Sequence, residues 1–417
     1  MRGLVQQKVL KILCANCCRL VKVFGRREIT HVRLLSESNR KLVLGIETSC
    51  DDTGAAVVDD HGNIVGDALN SQTRFHVQLG GIIPPFARDL HQENIENVVE
   101  KSLTNAHVKL EDMTAIAVTV KPGLPLSLLV GLTYAKQLAL RSSKPLIPIH
   151  HMEAHALTAR MTHGVRFPFL VLLLSGGHCL LAVAQDVDDF LLLGRGIDDS
   201  PGDAFDKTAR RLKLKNIAQF ASMSGGEAVE RTAQGGDPRA FEFPAAVMSH
   251  HRHCDFSFAG LKYHAHKLIE KEEAKYDTAP DHIIPSAPDV CASFQFSVLR
   301  HLAQRLQRGF LFCDLKGLLD SPRTLVVSGG VASNQFIRSG LEKVCAAHDC
   351  SLVCPPAHLC TDNGVMIAWN GMEKLQRGID LRHDVDSLDI QAKCPLGVDL
   401  REEVHKATIK LRRIKLL

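Results

Sequence analysis

The sequence predicts an α/β protein of two similar lobes facing one cleft, on three observations. A unit of three apolar strand-like runs, with a polar turn between the first two, occurs twice, starting near residue 42 and near residue 167. Each copy is followed by runs that alternate between helical and strand periodicity. At 417 residues the chain is long enough for two such lobes with proper cores. The runner-up is an ordinary pair of doubly wound α/β domains.

In order, Leu42–Glu47 reads as a strand, Thr48 to Gly54 as a polar turn, and 55–58 as a second strand. His61-Gly62-Asn63 makes a hairpin turn into a third strand at 64–69. A helix is expected over 89–105, a strand over 115–120 closed by Lys121-Pro122-Gly123, and a largely apolar helix over 126–140. A buried strand at 146–149 runs into His150-His151-Met152-Glu153-Ala154-His155, where a helical pattern begins. The second copy starts with strands at 167–174, Cys179–Ala184 and Phe190–Arg195. Helices follow at 202–214 and Gly225–Ala233, then a loop-rich stretch over 236–256 and a long helix over 290–312. A strand at 324–328, a helix at 334–348, a strand at 351–354 and a helix at 362–375 complete the pattern. The expected division is 1–40 leader, 41–165 first lobe, 166–395 second lobe and 396–417 basic tail.

Charge is uneven. The whole chain carries +4, yet residues 1–41 alone carry +8, so the rest is mildly acidic. The leader mixes Arg2, Lys8, Lys11, Arg19 and Lys22 with Leu, Val and Ile, and lacks the compact apolar core of a secretory signal. That is the composition of a mitochondrial presequence; a basic nucleic-acid-binding arm is the alternative. Thirteen cysteines without framework spacing fit free thiols in a reducing compartment. No run of about 18 apolar residues marks a membrane span.

His151 and His155 share a helix face, with Cβ atoms roughly 5–6 Å apart. Two imidazoles at that spacing suit one divalent metal; the plain alternative is a helix start with unlinked histidines. Glu153 lies two residues from each and points away, so it cannot serve as the glutamate base of a zinc-protease helix. Other candidate motifs are turns. Leu174-Ser175-Gly176-Gly177-His178 comes straight off a buried strand, and its glycines allow close backbone approach to a ligand. Asp206 and Lys207 follow Pro201-Gly202 in the first turns of a helix. Ser328-Gly329-Gly330 leads to Asn334, either a nucleoside contact or an Asn cap. Asp362 is either a third metal ligand or a helix N-cap.

Two similar α/β halves on one cleft is the architecture of the acetate kinase/heat-shock-70/actin superfamily, in which hairpin turns from both halves hold nucleotide phosphates. In their order, the stretches 45–54, 150–155, 173–178, 204–210, 328–334 and 360–364 resemble the TsaD family, the tRNA threonylcarbamoyladenosine synthases formerly named O-sialoglycoprotein endopeptidases. With the leader, the chain resembles the mitochondrial members. The resemblance runs from about residue 42 to about residue 378. It implies transfer of the threonylcarbamoyl group from L-threonylcarbamoyl-AMP, supplied by a separate synthase, to N6 of adenosine at tRNA position 37, with AMP leaving. It implies mitochondrial tRNAs that read codons beginning with A, a matrix location and a homodimer. The family's ligands for one divalent ion fall on His151, His155 and Asp362, the ion itself being open among Zn, Fe, Mg and Mn. Its acyl-adenylate contacts fall on Leu174, Ser175, Gly176, Gly177 and His178, then Asp206, Gly226 and Asn334. Lys121 stands where the family usually has Gly, Gly226 sits in Ser-Gly-Gly-Glu rather than Pro-Gly-Gly-Pro, and Gly364 replaces a frequent Ala as a mild change.

Rival readings are a metalloprotease of the glycoprotease type, a phosphotransferase on the same two-lobed fold, and a non-enzymatic scaffold. For tRNA, two basic stretches could reach phosphates: Lys207 to Lys215, with five basic residues in nine, and the tail with Lys410, Arg412 and Arg413. A solvated helix face is the alternative for each.

Overall fold

The computed structural model describes residues 40–79, 81–243 and 252–417, so the leader expected over 1–40 lies outside the described residues but for Arg40. The first sheet holds β1 (Leu42–Glu47), β2 (Asp52–Asp59), β3 (Ile64–Ser71), β4 (Ala115–Lys121) and β5 (Leu146–His150). Helices α1 (Thr73–Gln78), α2 (Pro84–Ala106), α3 (Pro125–Ser142) and α4 (His151–His163) accompany it. The second half comprises β6 (Phe169–Leu174), β7 (Cys179–Ala184), β8 (Phe190–Arg195), α5 (Pro201–Arg211), α6 (Gly225–Ala233), α7 (Ala259–Tyr276), α8 (Ala287–Lys316), β9 (Arg323–Ser328), α9 (Gln335–Ala346) and β10 (Cys350–Val353). Then come α10 (Ala357–Cys360), α11 (Gly364–Arg377), β11 (Val398–Asp399) and α12 (Arg401–Lys406).

The sheet orders are β3-β2-β1-β4-β5 and β10-β9-β6-β7-β8-β11. Apart from the added β11, the second repeats the first: an antiparallel trio, then two strands parallel to its first member. The duplicated two-lobed actin-like architecture expected from the sequence is therefore present.

Strand alternation distributes the cores. Leu44, Ile46 and Val57 face α2 and α3, while Val43, Ala56 and Ala117 face a layer between the two sheets. That middle layer also takes Val171 and Leu173 of β6, Met152 and Ala156 of α4, and Met366 and Trp369 of α11. Leu170, Leu172 and Leu174 face α5 to α9 on the far side. The layers run helix, sheet, helix, sheet, helix. Because α4 lies between two sheets, every residue from His151 to Ala159 is buried, so it is not the surface helix start that unlinked histidines would suggest.

Helix α11 sits directly on β1 and β2. An added Cβ at Gly45 would run into the Ala368 backbone, and one at Gly364 into the Ala55 backbone. Gly364 is therefore no mild change in this chain: a methyl group there has no room. The sequence assigns 166–395 to the second lobe, but α11 and the chain from it to Ala392 return to the first sheet. Leu146 bridges Arg382, Ala392 accepts from the Gly123 amide and Val120 from the Gln391 amide.

Besides the short α1, α10 and α12, one long helix was not expected. α7 carries only a thin apolar stripe, Leu261, Ala265 and Ile269, and its first residues have no local side-chain cap. Its start is held by Asp198, which accepts from Phe258 N at 2.9 Å and Ser257 Oγ at 2.5 Å. The basic tail is also ordered onto the second lobe: β11 pairs with β8, and Ile409, Ile414 and Leu416 pack against its core. Among the described residues no helix is long and apolar enough to cross a membrane, and all ten described cysteines are free.

If the glycine seat sets the middle layer, Gly45→Ala should lower the unfolding free energy by about 3 kcal/mol, the upper end of overpacking costs. Urea unfolding measures it; an unchanged midpoint would contradict direct packing of α11 on β1.

Candidate metal centre

β5 passes into α4 without a loop. His150 is the cap: its Nδ1 accepts from Met152 N at 3.2 Å. Burial, then Lys121 and His151, push its pKa down to about 3, so it stays neutral and serves structure. One residue on, His151 points across the middle layer. Its Nε2 lies 3.2 Å from His155 Nε2 and 3.5 Å from Asp362 Oδ1, and His155 Nε2 lies 3.0 Å from Asp362 Oδ1. An ion about 2.0–2.2 Å from each donor would produce separations of this size. All three expected metal ligands are thus brought together, and among the described residues they form the one group of this kind.

The other side of His151 is fixed as well. Its Nδ1 lies 3.1 Å from Ser49 Oγ and 3.3 Å from Glu47 Oε2, which leaves Nε2 for the centre. Alternation along β1 sends Glu47 to the middle layer together with Val43 and Gly45. Its carboxylate is fully buried and also accepts from Ser49 N and Thr119 Oγ1, both at 2.5 Å. Burial alone would raise the pKa of Glu47, yet the neighbouring His151 holds it below the usual range. Asp362 behaves alike: burial opposes its charge, but His151 and His155 hold it far below the usual range. Burial also opposes charging of His151, and the two carboxylates override it, raising its pKa to about 9. Two carboxylates around these imidazoles call for a cation. A proton on His151 meets part of that demand, and a divalent ion would displace it.

The cap reading of Asp362 falls away, because Asn363 is the N-cap of α11: its Oδ1 accepts from Met366 N at 2.9 Å. Asp362 is left free to face the histidines. Glu153 turns away as its spacing requires, into a buried pair with Lys374 at 3.3 Å.

The expected substrate turns lie beside this centre. The His178 ring is 6.3 Å from that of His151. Within the turn, the Gly177 and His178 amides donate to Ser175 Oγ at 3.3 and 2.9 Å. The cradle is closed on its own hydroxyl, so an entering anion must take these amides over. Gly329, at φ +102°, lets β9 approach the Leu174 carbonyl, where a Cβ would not fit. Asp206 accepts from the backbone of Gly225 and Gly226 at the start of α6, bringing two predicted contacts together. Asn334 caps α9 through Oδ1, accepting from Ile337 N at 2.9 Å, while its buried Nδ2 has no partner among the described residues.

Sequence reasoning saw Asp52 only as one of several acids on the polar turn after β1 and did not single it out. Burial, with the charges of Asp51, Asp362 and Glu47 adding to it, pushes its carboxyl up to about 7, and Oδ1 is unpartnered among the described residues. The turn that carries it is held from outside by His91 of α2, whose ring bonds Thr53 Oγ1 at 2.7 Å and the Cys50 carbonyl at 3.1 Å. The basic stretch from Lys207 is largely spoken for: Lys207 pairs with Asp203 at 2.9 Å, and Arg211 and Lys213 both grip Glu273 at 2.5 and 2.7 Å. Arg211 and Lys213 tie α5 and the residues after it to α7.

A two-lobed actin-like fold with a two-histidine, one-aspartate centre between glycine turns defines a class of proteins that handle nucleotide-linked substrates in an interlobe cleft. Within that class, the chain belongs to the tRNA N6-adenosine threonylcarbamoyltransferase family, whose model matches residues 63–369. It is 53% identical to the mitochondrial tRNA N6-adenosine threonylcarbamoyltransferase of Mus musculus, covering 95% of both chains. It is 51% identical to the mitochondrial enzyme of that name from Homo sapiens, over 90% of this chain and 91% of that one. Against the Rhizobium johnstonii enzyme the identity is 42%, over 87% and 95%.

Glu47 touches His151 from the side away from the three-donor cluster, so it is placed to orient that ring. Glu47→Gln keeps the shape and removes the charge, so divalent-ion affinity should fall about 10- to 100-fold with little change in fold. Chelator competition measures this, and wild-type affinity in the variant would remove Glu47 from the account.

Proposed function

We propose that the protein transfers the threonylcarbamoyl group of L-threonylcarbamoyl-AMP to N6 of adenosine 37 in mitochondrial tRNAs that read codons beginning with A. One divalent ion is held by His151, His155 and Asp362. The reading rests on the family membership and, in the structure, on the convergence of those three donors beside the Ser175–His178 turn.

The carbamoyl adenylate is a mixed anhydride, so the substrate arrives activated. N6 attacks the carbamoyl carbon, the bond from that carbon to the phosphate oxygen breaks, AMP keeps the electron pair, and N6 gives up a proton. A bound divalent ion would supply Lewis-acid stabilisation of charge on the acyl-adenylate oxygens, and Zn, Fe or Mg suits these ligands. Ser175 and the Gly176–His178 amides bind the phosphate or the threonyl carboxylate. The Asn334 amide offers a donor to the adenosine, with Asp206 and Gly226 shaping the same wall. Leu174 ends the strand that sets the turn. Asp52 is suited to take the N6 proton: it lies near enough to Asp362 and Glu47 to feel their charges, its Oδ1 is unpartnered among the described residues, and its carboxyl is pushed up to about 7. Holding amine and anhydride together contributes several kcal/mol, within the range of about 7–11 kcal/mol available to positioning. The metalloprotease alternative loses its base, since Glu153 is committed to Lys374.

His151→Ala, His155→Ala and Asp362→Asn should each abolish single-turnover transfer, and their combination should be no worse than one alone. These side chains are buried or half-buried, so folding must be checked by near-UV spectra. Glu153→Gln should keep transfer while costing about 3 kcal/mol of stability, because Lys374 loses its buried carboxylate. Near-normal transfer by a metal-free variant would reject the reading.

Proton transfer gives a separate expectation. A base must be unprotonated, so transfer should rise with pH through about 7 in the wild type, following Asp52. Asp52→Asn should flatten that limb; a wild-type profile in the variant would assign the proton elsewhere.

A further inference from the structure

The tail feature singled out in the sequence is built into a cavity distinct from the metal centre. A groove of about 1110 Å³ runs between the loop following α6, one face of α8 and the last residues of the chain. Five cationic side chains line it: Arg239 from the loop, Arg300 from α8, and Arg412, Arg413 and Lys415 from the tail. Glu242 is the single acidic side chain among its lining residues. All five cations are exposed, and among the described residues none is in an ion pair with a carboxylate. The contrast with Arg211 and Lys213, both spent on Glu273, is direct.

The tail does not merely pass by. Its apolar side chains Ile409, Ile414 and Leu416 pack on the second-lobe core, and Lys343 Nζ donates to the Leu416 carbonyl at 2.7 Å. That anchoring leaves Arg412, Arg413 and Lys415 turned to the groove. The floor is aromatic: Arg300 sits 6.0 Å over the Phe296 ring, and Phe296 meets Phe336 edge to face at 6.5 Å. Phe336 lies two residues beyond Asn334, so the groove adjoins the helix start assigned above to the adenylate.

Five cations on three separate segments line one groove, none paired with a carboxylate among the described residues. A mononucleotide or free phosphate carries too few charges to answer all five. A polyanion with charge at regular intervals can engage all five, and guanidinium groups, four of the five, match phosphate in paired hydrogen bonds. The chain after residue 41 is net acidic, so this concentration is local and not a reflection of composition. We propose that this groove holds the sugar–phosphate backbone of the tRNA substrate, as a contact separate from the centre where the adenosine reacts. The proposal rests on the tRNA reading given above.

The test uses the full chain and an unmodified tRNA transcript, with binding followed by fluorescence anisotropy at several salt concentrations. Arg300→Glu with Arg412→Glu and Arg413→Glu should weaken binding at least tenfold near 0.15 M salt. The log–log salt slope should fall by about 0.9 for each lost contact. Lysine at the same three positions should restore binding to within a few-fold. Arg412→Gln with Arg413→Gln, both exposed and outside the core, guards against misfolding and should still lower the slope by about two contacts' worth. An unchanged slope in both charge-removing variants overturns the proposal. So does unchanged tRNA binding accompanied by lost binding of polyglutamate, which would make the groove a seat for an acidic protein. Nucleoside mass spectrometry of the wild-type reaction separates the two readings. Product formation with unchanged slopes sinks the groove alone. Wild-type protein that binds tRNA through the groove yet makes no threonylcarbamoyladenosine sinks the transfer reading alone.

Discussion

Two carboxylates share a buried layer with two imidazoles, and much of the molecule is arranged to make that tolerable. Glu47 arrives because alternation along β1 sends it inward; Asp362 arrives because Asn363 takes over the capping of α11. Each carboxylate would be neutralised by burial if it stood alone, and each keeps its charge through His151. The histidines in turn can meet only because α4 starts at the last residue of β5 and lies between two sheets. The close seat of α11 on β1 through Gly45 and Gly364 fixes the distance from Asp362 to those histidines. A charged cluster with so little exposure is costly unless a cation completes it, and that requirement is the physical argument for a metal.

The duplication explains why the centre lies where it does. Each half has a hairpin whose turn opens toward the middle layer. The first turn supplies Glu47 and Ser49 to the outer nitrogen of His151, while the second brings His178 beside the same ring. The two turns have diverged in chemistry. One is acidic and holds the His151 ring in place; the other is glycine-rich and offers amides.

The fold was legible in the sequence because its central strands are unbroken apolar runs, and strands covered on both faces read that way. The two histidines were legible because a four-residue spacing fixes a common helix face. Other features depend on partners far away in the chain. α7 has a weak stripe and takes its cap from Asp198, some sixty residues earlier, so no local signal announced it. The roles of Arg211 and Lys213 turned on Glu273, and only the folded contact distinguishes a strut from an RNA contact. Asp362 and Asn363 are adjacent polar residues at a helix start, and sequence alone could not say which of them caps. The raised pKa of Asp52 comes from burial and three other carboxylates, a purely three-dimensional cause.

The central claim is that one ion is bound by two imidazole nitrogens and one carboxylate oxygen. X-ray absorption at the metal edge of the purified protein tests it most directly. The account predicts a nitrogen and oxygen shell at about 2.0–2.2 Å with outer-shell scattering from two imidazoles, lost together in His155→Ala. A sulfur shell near about 2.3 Å, or a spectrum indifferent to that substitution, would contradict it.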